Sequence, residues 1–362
     1  MSTIHSFPAL QLVTQTEVAA PVSLSDLLRR RPAGTGPLCH PPFEVDTVET
    51  APLTMNGPSR SEALRVFRSP VEFIEQQQLI RLRDGELGTE VLINGLRAYR
   101  YRSVPLPVAA QPAAVTCRWC GTTGDDVTDT FGAVVDGEQR AFANWARQAP
   151  VNGLVFGPKH DIVTLLREPE AFRNLFAAAE EYVRLARRAH PEWRYFTVFL
   201  NGGPKSAASV PHAHLQVVGG DRPFAYPRTI RDRCLADYWA RVRTAHEKLG
   251  LAFAAGPCVG WANLVPVKER DITAVSPTLS DGAAFVGSVL QALADRGTRN
   301  CSLAAILRPD DDGDFRDWPP VLWRLVDRGD PSVPHADIGC MELFGSTVVA
   351  TDPYLVAGWL RG

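Results

Sequence analysis

The stretch Asn201-Gly-Gly-Pro-Lys-Ser-Ala-Ala-Ser209-Val-Pro-His212-Ala-His214-Leu-Gln216 decides how this chain is read. It holds two of the chain's eight histidines, two residues apart. Read as a strand, alternate side chains point to the same side. His212, His214 and Gln216 then share one face, and Ala213, Leu215 and Val217 pack behind it. A Gly/Ser-rich turn precedes that face and offers backbone N–H groups and a hydroxyl. Backbone donors, a hydroxyl and an imidazole together describe a phosphate site with a nucleophile beside it.

Around this stretch the chain has 362 residues, 45% of them hydrophobic and 22% charged, enough for two domains or one large duplicated one with a sizeable core. The net charge of −2 argues against a nucleic-acid binder held mainly by charge. No apolar run approaches the roughly 20 residues of a membrane helix, and Met1-Ser-Thr-Ile-His-Ser-Phe-Pro8 carries no basic region followed by an apolar stretch. The seven cysteines are odd in number and irregular in spacing. They fit thiols or a metal site in a reducing cytoplasm better than a disulfide framework. A cytoplasmic protein with no membrane partner is the expectation.

Residues 1–80 contain Pro/Gly-rich pieces such as Arg31-Pro-Ala-Gly-Thr-Gly-Pro37 and one short helix near Ser23 to Arg30. They read as an N-terminal extension wrapped on the main body. Residues 81–225 form a first unit, with strands at Val91–Ile93, Gly153–Phe156 and Tyr195–Leu200. Its clearest helix runs from Pro169, suited to a first turn, to about Ala189. There Phe172, Leu175, Phe176, Ala179, Tyr182, Val183 and Ala186 make an i, i+3, i+4 stripe. Residues 226–362 repeat the order more weakly. Asn144-Trp145-Ala146 is echoed in reverse by Trp261-Ala-Asn263, a helix capped by Asp281 runs to about Asp295, and Cys301 to Leu307 reads as a strand. A last helix starts at Pro353 after Asp352. Strand, helix, strand in each half indicates two copies of one α+β unit.

The chemistry begins with Cys117-Arg-Trp-Cys120, the C-x-x-C spacing of a zinc half-site, in which two thiolates on a tight turn share one tetrahedral ion. His160, in a loop after a strand, and His212 complete a Cys2His2 set. A lone His214 would read as a core histidine satisfied by hydrogen bonds. With Asn201, Ser209, His212 and Gln216 around it, His214 is instead a candidate nucleophile toward phosphorus, able to split one transfer into two steps. Gln216 can hydrogen-bond a phosphate oxygen but does not titrate near neutral pH, so it is no general acid. A phosphate leaving group needs little protonation. Gln216 therefore favours transfer between phosphates over hydrolysis.

On these residues the chain resembles the nucleotidyltransferase branch of the histidine-triad (HIT) superfamily, which includes galactose-1-phosphate uridylyltransferases and diadenosine tetraphosphate phosphorylases. The uridylyltransferase strand His-Pro-His-x-Gln appears here as His212-Ala-His214-Leu-Gln216, with Ala for Pro. The preceding Asn201-Gly-Gly-Pro204 run is closer to the phosphorylases. The resemblance covers residues 85–220 well and 255–362 faintly. It implies an α+β fold of duplicated HIT-like units, an antiparallel sheet with helices packed against it, the second unit degenerate. It implies that His214 carries the nucleotidyl group, that Ser209 and Gln216 bind phosphate oxygens and that Asn201 positions the phosphate loop. Arg97 and Arg100 are phosphate contacts by the same carry-over, and Asn144 a nucleotide contact. Cys117, Cys120, His160 and His212 match in order a closed, structural zinc site. Only His246 and His335 follow Gln216, so no second, iron-type site is expected. Gly339-Cys-Met-Glu342 resembles a sugar-binding Gly-Tyr-Glu motif shifted by one residue.

The expected activity is ping-pong transfer of an NMP, with UMP favoured by the zinc pattern, between a nucleoside diphosphate sugar and a sugar 1-phosphate. A homodimer is the oligomer that the resemblance suggests. Two alternatives stand beside it: a dinucleoside polyphosphate phosphorylase, favoured by the Asn-Gly-Gly-Pro run, and a nucleotide-binding relative without turnover, favoured by the eroded second half.

Overall fold

The computed structural model describes residues 6–13, 20–30, 42–52, 55, 57–67, 70–96, 117, 119–120, 127–144, 147–206, 210–310, 313–315, 317–330, 338, 340–343 and 345–360. The chain opens with strand β1 (Gln11–Val13) and helix α1 (Leu24–Arg29). Next come β2 (Phe43–Pro52), α2 (Gly57–Phe67), α3 (Val71–Glu75), β3 (Gln76–Asp84) and β4 (Glu90–Ile93). The first half of the main body holds β5 (Val134–Asp136), β6 (Gln139–Ala143), β7 (Val151–Phe156), α4 (Ile162–Leu166), α5 (Pro169–Ala189), β8 (Tyr195–Gly202) and β9 (His214–Gly220). Helices α6 (Ala225–Arg233) and α7 (Tyr238–Lys248) lead into the second half. It comprises β10 (Ala252–Ala255), β11 (Cys258–Ala262), β12 (Ile272–Ser276), α8 (Leu279–Asp295), β13 (Cys301–Leu307) and β14 (Val321–Asp327). The chain closes with α9 (Cys340–Leu343), β15 (Ser346–Val349) and α10 (Pro353–Trp359).

The fold is α+β. Eleven strands form one antiparallel sheet in the order β1-β10-β11-β12-β14-β13-β8-β9-β7-β6-β5. Its midline is the β8·β13 pair, which runs from Phe196↔Leu307 to Gly202↔Cys301. Outward from that seam, one side reads β8, β9, β7, β6, β5 and the other reads β13, β14, β12, β11, β10. In each half the third strand out leads in the chain to the long helix, through α4 to α5 in the first half and directly to α8 in the second, and then to the seam strand.

Both long helices cover the same face of the sheet. The apolar stripe expected of α5 is fully buried, and Pro169 stands at its first turn as the sequence indicates. Burying each such large side chain stabilises the fold by roughly 1.5–3 kcal/mol. The strands answer with alternate buried positions: Phe196, Val198 and Leu200 on β8, Leu215 and Val217 on β9, Leu303 and Ala305 on β13. Trp323 of β14 lies against Phe176 of α5, with ring centroids 5.2 Å apart. It also reaches Gly282 of α8, where an added Cβ would sit 2.2 Å from the indole nitrogen. The N-cap of α8 is Thr278 rather than Asp281. The Thr278 hydroxyl accepts the Asp281 N–H at 3.0 Å, and Asp281 accepts the hydroxyl proton in return. The Thr/Asp spacing offers two starts, and this reciprocal pair selects the earlier one.

The opposite face is covered unevenly. Over the second half, Tyr226 of α6 hydrogen-bonds Arg324 of β14, which also pairs with buried Asp271 at 2.8 Å. His246 of α7 stacks on Trp261 of β11 at 5.5 Å. A second sheet, β15-β4-β3-β2, adds a further layer here. Phe43 of β2 meets His246 edge-on at 5.0 Å, and Tyr238 of α7 donates to Asp84 of β3 at 2.8 Å. Val91–Ile93, expected as a strand, belongs to this second sheet and pairs in parallel with β15 near the C-terminus. The early residues are thus built into the body: β1 pairs with β10, and the Leu24 N–H donates to Asp352 at 2.9 Å. The 80/81 boundary drawn from the sequence falls within β3.

Gly282→Ala is expected to lower stability by ~1–3 kcal/mol, because the indole it strikes is itself fully buried. Urea unfolding followed by circular dichroism should show a lower midpoint with an unchanged slope.

Candidate functional site

Over the first half, the face away from α5 carries the residues the sequence singled out. Strand register sets them in a row. Phe156 of β7 pairs with His214 of β9. Asn201 of β8 lies opposite His214, one step beyond the Leu200↔Leu215 pair. Asn201 pairs in turn with Ser302 of β13 across the seam. The neighbouring row, on the same face, runs Leu154, Gln216, Phe199, Ala304, Arg324. Leu215 and Val217 point the other way and are fully buried, as alternation requires.

His212 departs from the expectation that it shares the strand face. Strand β9 begins at His214, and His212 lies just before it. The reason is local hydrogen bonding. The Ala213 N–H donates to the His160 carbonyl at 2.7 Å, and the His212 ring turns toward Gly157, whose carbonyl lies 2.8 Å from Nε2. Donation from Nε2 leaves Nδ1 as the lone-pair nitrogen. Nδ1 then stands 3.5 Å from Cys117 Sγ and 3.4 Å from Cys120 Sγ, while His160 Nδ1 is 3.3 Å from Cys120 Sγ. The four donor atoms lie within 4.8 Å of one another. A tetrahedral ion with S and N ligands at its usual bond lengths needs S···N separations of about 3.6 Å. The quartet Cys117, Cys120, His160 and His212 can therefore hold one metal ion. The Gly157 carbonyl supplies the outer hydrogen bond that fixes a ligating ring.

Next to this quartet the His214 ring is held from one side. Its Nδ1 is 2.8 Å from the carbonyl of His212. An Nδ1–H donated there leaves Nε2 unprotonated. Burial lowers the His214 pKa below the ordinary histidine value, against an opposing effect of that hydrogen bond. The neutral form is the one present at neutral pH. Trp119, inside the Cys117–Cys120 turn, joins the two groups. It stacks on Phe156 at 5.0 Å, meets the His214 ring edge-on at 5.1 Å and lies 5.8 Å from the His212 ring.

The turn after β8 is braced by the second half. Gly203 has φ +87°, and an added Cβ would sit 2.4 Å from Asn300 Oδ1. That oxygen accepts the Lys205 N–H at 3.1 Å, and Asn300 Nδ2 donates to the Gly329 carbonyl at 2.8 Å. Asn144 lies at the end of β6. Its N–H donates to the Asn152 carbonyl at 2.7 Å, and buried Asn152 accepts the Gln148 N–H at 3.1 Å. Arg97, Arg100 and Ser209 lie outside the described residues, as do His335 and Gly339. Glu342 is bound by Lys268 at 3.0 Å. His246 is a packing residue: Nδ1 donates to the Val242 carbonyl, Nε2 accepts the Leu264 N–H, and burial drops its pKa to about 4.

Several residues shape this site without having been singled out. Trp119 was visible between the two cysteines, an aromatic where the turn could have carried any residue. Asn300 and Ser302 carry no local sign, because each acts through a pairing between distant segments, whereas Asn152 acts within the turn between β6 and β7.

No protein-family model and no curated protein matches the sequence. Solved structures do match. An ADP-glucose phosphorylase from Arabidopsis thaliana, solved with ADP-glucose, aligns over 75% of this chain and 95% of its own at 16% identity and a TM-score of 0.56. The fold is shared. A galt-like protein from Arabidopsis thaliana aligns over 68% of this chain and 91% of its own, with 15% identity and a TM-score of 0.51. A uridylyltransferase covers 78% of this chain and 97% of its own, at 16% identity and a TM-score of 0.50. The large antiparallel sheet and the helices packed against it are thus the fold of these solved structures.

Asn300→Ala removes the acceptor of the Lys205 N–H. Hydrogen exchange at that amide should speed up by about tenfold or more, while amides of α5 keep their protection.

Proposed function

We propose that this chain is a nucleotidyltransferase that moves an NMP between a nucleoside diphosphate sugar and a sugar 1-phosphate through His214. The observation that carries the reading is the hydrogen bond from His214 Nδ1 to the His212 carbonyl, 2.8 Å long. It orients a neutral imidazole with Nε2 as its only lone pair, on a partly open sheet face beside a Gly-rich turn.

In the first step His214 Nε2 attacks the α-phosphorus of the nucleoside diphosphate sugar. An N–P bond forms, the P–O bond to the β-phosphate breaks, and the sugar 1-phosphate leaves with the electron pair. In the second step an oxygen of another sugar 1-phosphate attacks the same phosphorus and Nε2 recovers its lone pair. Each leaving group carries away its own charge, so no acid is required, and an amide at Gln216 suffices. Gln216 and Ser209 hold phosphate oxygens. Asn201 positions the Gly-rich turn, Arg97 and Arg100 contact phosphate, and Asn144 contacts the nucleoside. Most of the catalysis is positioning and electrostatic stabilisation.

The ion held by Cys117, Cys120, His160 and His212 is zinc in a structural role. The donor set is soft and complete, so no position is left for substrate. Its place in the chemistry is mechanical: it fixes the residue whose carbonyl orients His214. We further propose that residues 81–225 and 226–362 are two copies of one HIT-like unit, preceded by an extension at 1–80. Strand order supports this, as does a matched pair of bonds. The Asn144 N–H donates to the Asn152 carbonyl, and the Asn263 N–H donates to the Asp271 carbonyl at the corresponding place.

A second reading keeps the nucleophile and changes the acceptor to inorganic phosphate. The Asn201-Gly-Gly-Pro204 run favours it, as does the fold shared with the ADP-glucose phosphorylase.

Incubation with α-labelled UDP-glucose, ADP-glucose or ATP, followed by alkaline denaturation that preserves phosphohistidine, separates these readings. Wild type should retain label from one donor, and His214→Ala should retain none. Chase with a sugar 1-phosphate or with inorganic phosphate identifies the acceptor. No label from any donor would sink the transfer mechanism and leave a nucleotide-binding protein without turnover. Metal analysis should find about one zinc per chain, with clearly less in Cys117→Ser.

A further inference from the structure

The row containing His214 does not end at the seam. Its second-half member, Ser302, projects from the same face of the sheet as His214 and Asn201, because Cys301 and Leu303 on either side face the helices. Ser302 lies two strands from His214, about 10 Å away between Cα atoms at ordinary strand spacing. Its hydroxyl accepts from Nη1 of Arg328 at 3.0 Å. Arg328 follows β14 directly and continues its ladder, its N–H donating to the Asn300 carbonyl at 3.0 Å. By alternation from Arg324, the Arg328 side chain also leaves the sheet on the open face. Ser302, the register partner of Asn201, thus anchors the guanidinium on this face.

The two sides of His214 differ in chemistry. Toward β7 lie the rings of Phe156, Phe142 and Trp119, with Phe142 and Phe156 5.2 Å apart. Toward β13 lie Asn201, Ser302 and the Arg328 cation. A nucleotide whose α-phosphorus sits at His214 has two ends, an uncharged nucleoside with an aromatic base and a strongly anionic second phosphate. The rings suit the first and the cation suits the second.

We infer that Arg328 is the contact for the second phosphate of the donor, which is also the phosphate of the sugar 1-phosphate acceptor, and that Ser302 positions it. The role rests on the nucleotidyl-transfer reading above. In the transfer step, negative charge builds on the oxygen that leaves with this phosphate. A planar guanidinium offers two parallel donors to it, which an ammonium cannot match. Because acceptor and leaving group occupy the same place in a ping-pong cycle, one arginine serves both half-reactions.

The test is titration calorimetry with UMP, UDP, AMP and ADP on the whole chain. Wild type should bind the diphosphate of its preferred base tighter than the monophosphate by about tenfold to a hundredfold, the range for a charge-assisted contact. Arg328→Gln should bind the monophosphate within about twofold of wild type and lose the preference for the diphosphate. Ser302→Ala, which keeps the cation and removes its anchor, should lose part of that preference, and Arg328→Lys should restore part of it. A merely structural role would weaken both ligands together, so loss of the monophosphate in parallel would overturn the assignment. Undiminished preference in Arg328→Gln would overturn it too, while leaving the nucleotidyl-transfer reading intact. Failure of wild type to bind any of the four nucleotides would take down both. Should Arg328→Gln not fold, Arg328→Lys and Ser302→Ala carry the same comparison.

Discussion

The carbonyl of His212 accepts the hydrogen bond that orients His214, and the ring of the same residue belongs to the metal-binding quartet. One residue therefore fixes the backbone on which the proposed nucleophile depends. The Gly157 carbonyl holds that ring from outside, and the His160 carbonyl ties down the adjacent Ala213 N–H. Contacts to β7 and the loop after it thus set the start of β9 to within a residue. That precision matters because a strand slipped by one residue would turn His214 and Gln216 into the helix-covered core. Trp119 links the two groups a second time, through ring contacts rather than backbone.

What the sequence made legible was local or strongly patterned. Helix α5 announced itself through its stripe and Pro169, and the central strands through runs such as Tyr195–Leu200. The metal quartet spans residues 117 to 212, and no spacing rule could have assembled it. Ligand chemistry proposes the set from a C-x-x-C pair and two histidines, and the resemblance adds its order. The errors were also physical. His212 was set in the strand because alternation places it there, and hydrogen bonds to distant carbonyls removed it. Asp281 reads as the cap of α8 from the sequence, but Thr278, a residue type that caps equally well, takes that place. The parallel pairing of β4 with β15 joins segments some 250 residues apart, and nothing in a short hydrophobic run identifies such a partner. Asn300, Ser302 and Arg328 were invisible for the same reason: they matter only once β8 and β13 lie side by side.

The two halves share a strand order but not a surface. In the first half, Gln216 faces a partly open region. At the matching place across the seam stands Arg324, enclosed by Asp271 and Tyr226 and sealed beneath α6. A buried charge needs a partner with good geometry, and Asp271 provides two contacts to it. The second half has thus become a wall, with Asn300 bracing the turn after β8 from behind.

The seam itself carries a consequence for how such a chain can be divided. Strands β8 and β13 are each saturated on that side by the other. Separated from its neighbour, either half would expose a long, largely apolar edge strand, which invites pairing with another chain. The partner of matching direction and pattern would be a second copy of the same half, placed around a two-fold axis. A first half expressed alone is thereby predisposed to self-association, with two identical copies of the face that carries His214. Joining unequal halves in one polypeptide removes that symmetry, so the face that carries His214 and the face sealed beneath α6 can differ.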